Sequence, residues 1–296
     1  MTEDVKIYLN GEFVGRDKAR VSVFDQGILF GDGVFEGIRA YNSRVFKCAE
    51  HVDRLFQGAK ALCLDIPMDK AQTIQIVTET CRVNGVRDGY IRLVVTRGIG
   101  DLGLLPLPAP APTVFCIAAS LTLYPMETYE KGMQVITAAR RRNTAGCLDP
   151  QVKSLNYLNN ILAKLEAHHA GAQEALMLNG EGLVTECAGD NVFIIKDGEI
   201  LTPPVHLGIL NGITRRTVIR LARDMGMSVR ETEFTLFNVY GADECFLTGT
   251  AAEVAPVRLV DHRIIGNGGP GPVTRKIGSA FREYAQSHGT PIFPEE

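Results

Sequence analysis

The segment Lys153-Ser154-Leu155-Asn156-Tyr157 decides how the chain is interpreted, because it presents a lysine at a fixed point of the second half. It follows the turn-forming pair Asp149-Pro150 and leads into a predicted helix over 156–169. A lysine in this place can point into a cleft while its backbone stays fixed. Lys153 is therefore a candidate functional residue. Taken by itself, however, the segment is equally consistent with an ordinary surface lysine that binds no ligand.

Three further segments of the second half carry groups that suit a charged ligand. The segment 185–191, Thr-Glu-Cys-Ala-Gly-Asp-Asn, lies between predicted strands and provides one carboxylate, Glu186. The segment 210–215, Leu-Asn-Gly-Ile-Thr-Arg, opens a helix whose N–H groups and positive dipole end suit a phosphate. The segment 247–252, Leu-Thr-Gly-Thr-Ala-Ala, is a small-residue turn after a strand, which can bring backbone N–H groups against an anion.

Turn and helix-cap chemistry explains each of these segments when it is taken singly. Together they provide a lysine for a Schiff base, an acid for a pyridine nitrogen and a cradle for a phosphate. Pyridoxal phosphate needs these three groups. The residues therefore predict a pyridoxal phosphate site in the second half of the chain.

Composition and the absence of several sequence motifs exclude other classes of partner and of active site. The chain has 296 residues with a net charge of -3, so nucleic acid is not expected as a partner. Its seven cysteines form no C-x-x-C pair, which predicts no disulfide framework, no metal site and a cytoplasmic location. No apolar stretch approaches the roughly 20 residues needed to cross a bilayer, so no membrane contact is expected. Signatures of P-loop, dinucleotide, zinc-protease and serine-hydrolase sites are absent from the sequence.

Hydrophobic periodicity predicts two α/β domains. The Asn10-Gly11 pair between short apolar runs predicts an opening β-hairpin, and strands are expected over 90–96 and 113–119. Predicted helices cover 49–62, a segment from the cap Asp69 to Asn84-Gly85, 156–169, 213–225 and 273–287. Leu158, Ile161, Leu162 and Leu165 are expected to face inward from the third of these helices. The predicted boundaries are a small N-terminal domain over 1–120, a linker over 121–132 and a larger C-terminal domain over 133–296.

The sequence resembles the branched-chain amino acid aminotransferases, in the fold type IV class of pyridoxal-phosphate enzymes, over nearly its whole length. The matching stretches are 30–39 (FGDGVFEGIR), 50–55 (EHVDRL), 90–92 (YIR), 153–157 (KSLNY), 186–191 (ECAGDN), 210–215 (LNGITR) and 249–253 (GTAAE). The resemblance implies the two-domain α/β (α+β) fold of the D-amino acid aminotransferases, with a pseudo-barrel core in the C-terminal domain.

The resemblance also implies roles for individual residues. Lys153 would form the Schiff base, Glu186 would contact the pyridine nitrogen and Tyr157 would lie near the ring oxygen of the cofactor. The full set of implied cofactor contacts is Arg54, Lys153, Tyr157, Glu186, Asn191, Leu210, Gly212, Ile213, Thr214, Gly249 and Thr250. The implied phosphate contacts within this set are Arg54, Thr250 and the N–H groups of Ile213 and Thr214. The implied substrate contacts are Phe30, Phe35, Arg39, Tyr90, Arg92, Thr250 and Ala251.

The implied activity is transamination between branched-chain L-amino acids (leucine, isoleucine, valine) and 2-oxoglutarate in a ping-pong cycle. Tyr90 would meet the α-carboxylate and Arg92 the distal carboxylate of glutamate, while Phe30 lacks the hydroxyl of the tyrosine common there in the family. A homodimer or higher oligomer is expected, with the loop 102–105 completing the neighbouring pocket.

Three alternatives stay open. The stretch 95–98 is also similar to D-amino acid or (R)-amine transaminases and to aminodeoxychorismate lyases, although 36–39 and 90–92 favour the branched-chain group. A non-catalytic protein that binds pyridoxal phosphate is the alternative from a different class, because fold does not fix function.

Overall fold

A β-hairpin forms around Asn10-Gly11, as the sequence predicts. The computed structural model describes residues 5–106, 111–119 and 124–293. Asn10 and Gly11 have φ angles of 48° and 102°, which are the left-handed conformations of a two-residue hairpin turn. Ile7 faces Val14 across the two strands, and the first strand also pairs with a later one through Tyr8 and Cys116. The hairpin thereby becomes the edge of a larger sheet.

The described residues contain sixteen strands and nine α-helices. The strands are β1 (Lys6–Leu9), β2 (Glu12–Gly15), β3 (Gly33–Tyr41), β4 (Arg44–Val45), β5 (Gly89–Thr96), β6 (Thr113–Ala119), β7 (Met133–Arg141), β8 (Glu174–Leu178), β9 (Val184–Cys187), β10 (Asn191–Lys196), β11 (Glu199–Thr202), β12 (Val229–Glu231), β13 (Glu244–Gly249), β14 (Glu253–Val260), β15 (Arg263–Ile264) and β16 (Thr290–Pro291). The helices are α1 (Gln26–Leu29), α2 (Cys48–Ala61), α3 (Lys70–Val83), α4 (Met126–Lys131), α5 (Ala145–Leu148), α6 (Leu158–His169), α7 (Ile213–Asp224), α8 (Leu236–Tyr240) and α9 (Pro272–Ser287). Two 3-10 turns cover Arg16–Lys18 and Val205–Leu207.

The chain divides into two compact units, and the first holds the described residues up to 119 together with 152–156 and 285–293. Its seven described strands form one sheet in the order β16-β4-β3-β5-β6-β1-β2. Helices α2 and α3 share a core with β3 and β5, in which Val52, Leu55, Ile38 and Ile91 are buried. Helix α3 begins with a capping box between Asp69 and Gln72, so the predicted start of this helix is confirmed.

The second unit holds residues 124–151 and 157–284. Its described strands form a mixed sheet in the order β12-β11-β10-β13-β14-β7-β8-β9, with β15 paired to β14. Strand β7 runs parallel to both β14 and β8, whereas β10 and β13 are antiparallel. Phe193 and Phe246 stack at 4.8 Å on these two strands. The three helices predicted for this half are present as α6, α7 and α9, and the mixed α/β fold class is confirmed.

The division of the chain differs from the predicted boundaries. Residues 152–156 belong to the first unit because Val34 forms a β-bridge with Ser154, and residues 285–293 do so because β16 joins β4. Within the predicted linker, 121–123 lie outside the described residues and Met126–Lys131 form the short helix α4. No helix within the three described ranges is both long enough and apolar enough to span a bilayer.

The predicted inward face of α6 is wrong. Its buried residues are Asn160, Ala163 and Ala167, whereas Leu158 is 70% exposed and Leu165 is 44% exposed. Small alanines allow the helix to approach the sheet closely, and the amide of Asn160 donates to the carbonyl of Ala188 at 2.8 Å. The row of leucines, together with Ile161, therefore lies on the face of this helix that is exposed in its own unit. Hydrophobic periodicity alone does not show which of the two faces of a helix is buried.

Candidate active site

Lys153 is held beside strand β3 of the first unit. The N–H of Phe35 donates to the carbonyl of Lys153 at 3.0 Å, and the N–H of Leu155 donates to the carbonyl of Gly33 at 2.9 Å. These bonds fix the backbone on both sides of the lysine. Its Nζ atom lies 4.5 Å from the centre of the Phe35 ring, and the side chain is partly exposed. The structure therefore holds the backbone of this lysine by hydrogen bonds on both sides.

Strands β3 and β5 present polar and aromatic side chains on the face of the sheet that carries Phe35. Because side chains alternate along a strand, Phe35 and Arg39 share this face with Tyr90 and Arg92, whose registers are Arg39–Tyr90 and Gly37–Arg92. The guanidinium of Arg92 lies 4.7 Å from the Phe35 ring and donates to the Tyr90 hydroxyl at 3.0 Å. The predicted substrate residues of these two strands are thus clustered.

Arg92 has one donor that is buried without a partner. Its Nε atom makes no hydrogen bond within the described residues, and a buried unpaired donor is costly unless a ligand satisfies it. Phe30 follows the last residue of α1 and is 38% exposed. The Arg39 guanidinium lies 4.9 Å from the ring of Tyr41.

The opposite face of β3 carries a buried charge cluster. Glu36 is fully buried and accepts hydrogen bonds from Nε and Nη2 of Arg54 at 2.7 and 2.8 Å. Nδ1 of His51 lies 2.7 Å from the same carboxylate, and an ionised carboxylate only accepts, so Nδ1 carries the proton. His51 and Arg54 are three residues apart on α2 and therefore share one face of the helix. Glu36 thus fixes the orientation of Arg54, the predicted phosphate ligand.

Burial and charge oppose each other in this cluster. Burial alone would raise the pKa of Glu36, but the charge and hydrogen bonds of Arg54 and His51 outweigh it and lower the pKa to about 2. Burial lowers the pKa of His51, even though Glu36 favours the charged imidazole. The ion pair is therefore between Glu36 and Arg54, with His51 as a neutral donor.

Glu186 is the centre of a second network, in the second unit. Its Oε1 atom lies 2.9 Å from Nε and 2.8 Å from Nη2 of Arg142. Its Oε2 atom accepts from the amide of Asn191 and from the N–H of Leu210, both at 3.0 Å. Four N–H donors around a carboxylate that is 5% exposed stabilise its ionised form. Asn160 accepts from the other end of Arg142 at 3.2 Å.

The same network fixes the start of α7. The amide of Asn191 also donates to the carbonyl of Leu210 at 2.9 Å, and a Cβ on Gly212 would overlap the amide oxygen of Asn191. A larger residue at 212 would therefore displace the amide of Asn191 from its two hydrogen bonds. Helix α7 begins at Ile213 without a side-chain cap, so the N–H groups of its first turn are directed at the position where an anion would bind.

The remaining predicted contacts lie at two other places in the second unit. Gly249 ends β13 and pairs with Glu253 across the turn that contains Thr250 and Ala251. The hydroxyl of Thr248, directly before this turn, is buried without a hydrogen-bond partner among the described residues. Tyr157 precedes the first turn of α6 and is partly exposed. The structure thus clusters Glu186, Asn191 and Leu210 through hydrogen bonds and places the other contacts on separate turns.

These observations fit the cofactor that the sequence predicts. A buried ionised acid, an uncapped helix start and a fixed lysine are the donor set that a phosphorylated pyridine aldehyde requires. Within the described ranges, no group of three or more metal-ligating side chains could hold a metal ion.

Sequence reasoning missed three residues of these networks. Glu36, His51 and Arg142 were assigned no role. The first two carried a readable signal, since an acidic residue at an inward position of β3 needs a cationic or donor partner. Arg142 belonged to the run 140–142, and nothing in that run distinguishes the one buried arginine from its exposed neighbours.

The profile of the family Amino-transferase class IV matches residues 33–260. This span is more than half of the chain, and the chain belongs to that family. The resemblance seen in the sequence is confirmed at this level.

Individual relatives carry two different substrate names. A Methanocaldococcus jannaschii protein provisionally named branched-chain-amino-acid aminotransferase is 52% identical over 291 residues, which cover 98% of this chain and 100% of the relative. A D-alanine aminotransferase of Staphylococcus haemolyticus is 37% identical over 286 residues, which cover 96% of this chain and 99% of the relative.

Solved structures give the same fold. The T.th. branched-chain amino acid aminotransferase with pyridoxamine 5'-phosphate has a TM-score of 0.93 at 39% identity and covers 97% of this chain and 96% of its own. The same enzyme complexed with N-(5'-phosphopyridoxyl)-L-glutamate has a TM-score of 0.91 at 38% identity, with coverage of 97% and 96%.

Proposed function

We propose that this aminotransferase moves the amino group between branched-chain L-amino acids and 2-oxoglutarate. The observation that carries the proposal is the 52% identity over 98% of the chain to a relative with that substrate name. The glutamate adduct bound by the T.th. enzyme supports glutamate and 2-oxoglutarate as the second substrate pair.

Pyridoxal 5'-phosphate is the cofactor, as in the class IV aminotransferases to which the chain belongs. When bound, it supplies an aldehyde carbon that accepts an amino group and a ring that withdraws electrons from the substrate α-carbon. Lys153 is the residue that attaches it. Glu186 provides the negative charge for the protonated ring nitrogen. The first N–H groups of α7, at Ile213 and Thr214, bind the phosphate together with Arg54 and Thr250.

Lys153 has two roles in the proposed reaction. Its amine would attach the cofactor in the resting enzyme and would be free again once a substrate is bound. The freed amine then carries a proton between the α-carbon of the substrate and the C4′ carbon of the cofactor. The fixed backbone at Lys153 and Leu155 keeps the amine within reach for both steps. A second oxo acid runs the same steps in reverse.

The clustered residues of β3 and β5 support the dual substrate range. Phe35 offers an apolar surface for an aliphatic side chain. Tyr90 and Arg92 offer a hydroxyl and a guanidinium, and the unpaired Nε of Arg92 would be satisfied by a carboxylate. One pocket therefore accepts leucine and glutamate, because the positive charge is met only when the side chain is acidic. Arg39 and the turn at Thr250 and Ala251 complete the proposed substrate contacts, and Phe30 is proposed at their edge.

A homodimer is the proposed assembly. Three leucines of the loop 102–105 are strongly exposed: Leu102 at 71%, Leu104 at 82% and Leu105 at 73%. Two further exposed apolar residues, Ile99 and Phe24, belong to neighbouring segments, because the N–H of Gly100 donates to the carbonyl of Phe24. An exposed apolar patch of this kind favours burial against another chain. Light scattering should give at least twice the mass of 32.3 kDa, and a Leu104→Asp variant should shift towards that single mass.

A D-amino acid transaminase is the second candidate, because the S. haemolyticus D-alanine aminotransferase is 37% identical over nearly the whole chain. A panel of single-turnover half-reactions separates the two. The purified holoenzyme is mixed with L-leucine, L-glutamate, D-alanine or an (R)-arylamine, and the loss of the absorption of the lysine-bound cofactor is recorded. We expect fast reactions with the first two only. Reaction with D-alanine alone would replace the proposal by the second candidate, and no reaction with any donor would indicate a non-catalytic protein.

A further inference from the structure

Helix α7 borders a cleft that the proposed reaction does not use. The cleft has a volume of about 370 Å³, within the size range of small-ligand sites. Its lining belongs wholly to the second unit and comprises Val205, Asn211, Arg215, Arg216, Ile219, Arg220, Arg223, Asp224 and Glu231. None of Ile213, Thr214 and Thr250, the predicted phosphate contacts of this unit, lines the cleft, so it is distinct from the proposed cofactor site.

The cleft carries an excess of positive charge on an acidic protein. Four arginines and two carboxylates belong to its lining, so positive side chains outnumber negative ones, whereas the whole chain has a net charge of -3. Glu231 compensates Arg215 at 2.6 Å. Of the other arginines of the lining, Arg220 and Arg223 are exposed and lie in the cleft with one carboxylate, Asp224.

Two of these arginines are placed to receive an anion. In the described part of the chain, neither Arg220 nor Arg223 forms an ion pair. The guanidinium of Arg220 stacks on the Tyr284 ring at 4.4 Å. The stacking occupies the flat face of the guanidinium and leaves the N–H groups at the edge of the guanidinium available to an anion. Arg223 donates only to the carbonyl of Val229, at 3.4 Å.

The spacing of the arginines has a cost that a bound anion would offset. Arg220 and Arg223 are separated by three residues on α7, so two like charges are neighbours on one face of the helix, which destabilises it. Val205 and Ile219 add apolar contacts to the lining. We infer that this cleft binds a small dianion, with two charged oxygens held by Arg220 and Arg223 and its body against Ile219.

The test uses the cofactor-loaded enzyme at low ionic strength, so that the proposed active-site phosphate position is filled. Calorimetric titration at about pH 8 with inorganic phosphate and, separately, with malonate distinguishes a phosphate from a carboxylate source of the dianion. We expect one saturable site per chain for at least one of the two probes. Arg220→Gln and Arg223→Gln should each weaken binding about tenfold, the loss of one charge-assisted contact, and should leave transamination unchanged.

Arg263→Gln is the matched control. Arg263 also stacks on a tyrosine, Tyr240, at 4.3 Å and is exposed in the same unit, but it does not line the cleft. Its variant should bind the probe like the unmodified enzyme. The inference is overturned if neither probe binds saturably, or if Arg263→Gln weakens binding as much as Arg220→Gln, because binding would then follow net charge alone. If the unmodified enzyme binds the probe but does not catalyse transamination, the proposed function is contradicted and the inference about the cleft stands.

Discussion

Arg142 directs two nitrogens, Nε and Nη2, at a single carboxylate oxygen of Glu186, at 2.9 and 2.8 Å. Both side chains are almost fully buried. The pair keeps a negative charge inside the second unit, which a protonated pyridine nitrogen could then approach. Removal of the arginine takes away a cationic partner of that charge and keeps the neutral donors of Asn191 and Leu210.

Arg142→Met is therefore expected to lower the free energy of unfolding by about 3 kcal/mol, the cost of removing one partner of a buried ion pair. The double variant Arg142→Met/Glu186→Gln should recover much of this loss, because the charge is then removed as well. Urea unfolding of the apo-protein measures both. Equal stability of the single and double variants would show that the pair contributes no charge coupling.

Glu186→Gln alone tests the proposed role of this acid in the reaction. The amide keeps the shape of the side chain but not its charge, so the cofactor should stay bound while proton abstraction slows by roughly a hundredfold. Stopped-flow half-reactions with L-leucine measure the rate. Glu174→Gln, a change of another buried acid of the same unit, is the control, and an unchanged rate in Glu186→Gln would remove that residue from the mechanism.

The lowered pKa of Glu36 predicts how the free energy of unfolding depends on pH. Its pKa falls from an ordinary value of 4.5 to about 2 on folding, so its contribution is complete above about pH 4.5 and is lost as the pH falls towards 2. The contribution is on the order of 3 kcal/mol. The lowered pKa of His51 acts in the same direction, because acid protonates it more readily in the unfolded chain.

The measurement is urea unfolding between pH 2 and 7. Glu36→Gln should be less stable at neutral pH and should lose most of this acid dependence, whereas Asp53→Asn, which removes an exposed carboxylate paired with Lys70, should keep it. A Glu36→Gln variant with the same acid dependence as the unmodified chain would contradict the assignment.

Local signals made much of the fold predictable from the sequence. The turn at Asn10-Gly11 and the cap at Asp69 depend on neighbouring residues, so the hairpin and the start of α3 were predicted and are found. The inward face of α6 was not, because alanines at 163 and 167 pack against the sheet and the larger Leu158 and Leu165 stay outside.

The residues of the candidate site also divide into those that the sequence predicts and those that only the fold reveals. Lys153 and Glu186 were predicted because the cofactor requires their chemistry. The partners of the site, Glu36 for Arg54 and Arg142 for Glu186, are separated from them by 18 and 44 residues. Sequence patterns report neighbours in the chain, and only the fold brings such distant pairs together.

Gly37 on β3 is a diagonal neighbour of Tyr90 on β5, whose direct partner is Arg39. A Cβ on Gly37 would overlap the Tyr90 hydroxyl and lie 2.8 Å from the ring carbon that bears it. Gly37→Ala should therefore displace the tyrosine, raise KM for amino acid substrates and lower stability by about 1–3 kcal/mol. Adding Tyr90→Phe should restore stability but not KM, because the hydroxyl bonded to Arg92 is gone. Gly15→Ala, with open space around the new Cβ, should change neither, and equal effects of the two alanines would contradict the steric cause.

Lys153→Ala tests the residue on which the proposed chemistry depends. Without the amine, neither attachment of the cofactor nor proton transfer can occur, so multiple turnover should fall by at least about a thousandfold. Borohydride reduction followed by peptide mapping should place the cofactor on the peptide that contains Lys153 in the unmodified chain and on no peptide in the variant. Lys131→Ala removes an exposed lysine and should retain both rate and adduct. An adduct on another lysine of the unmodified chain would refute the assignment even if Lys153→Ala were inactive, because loss of rate alone also follows from a distorted site.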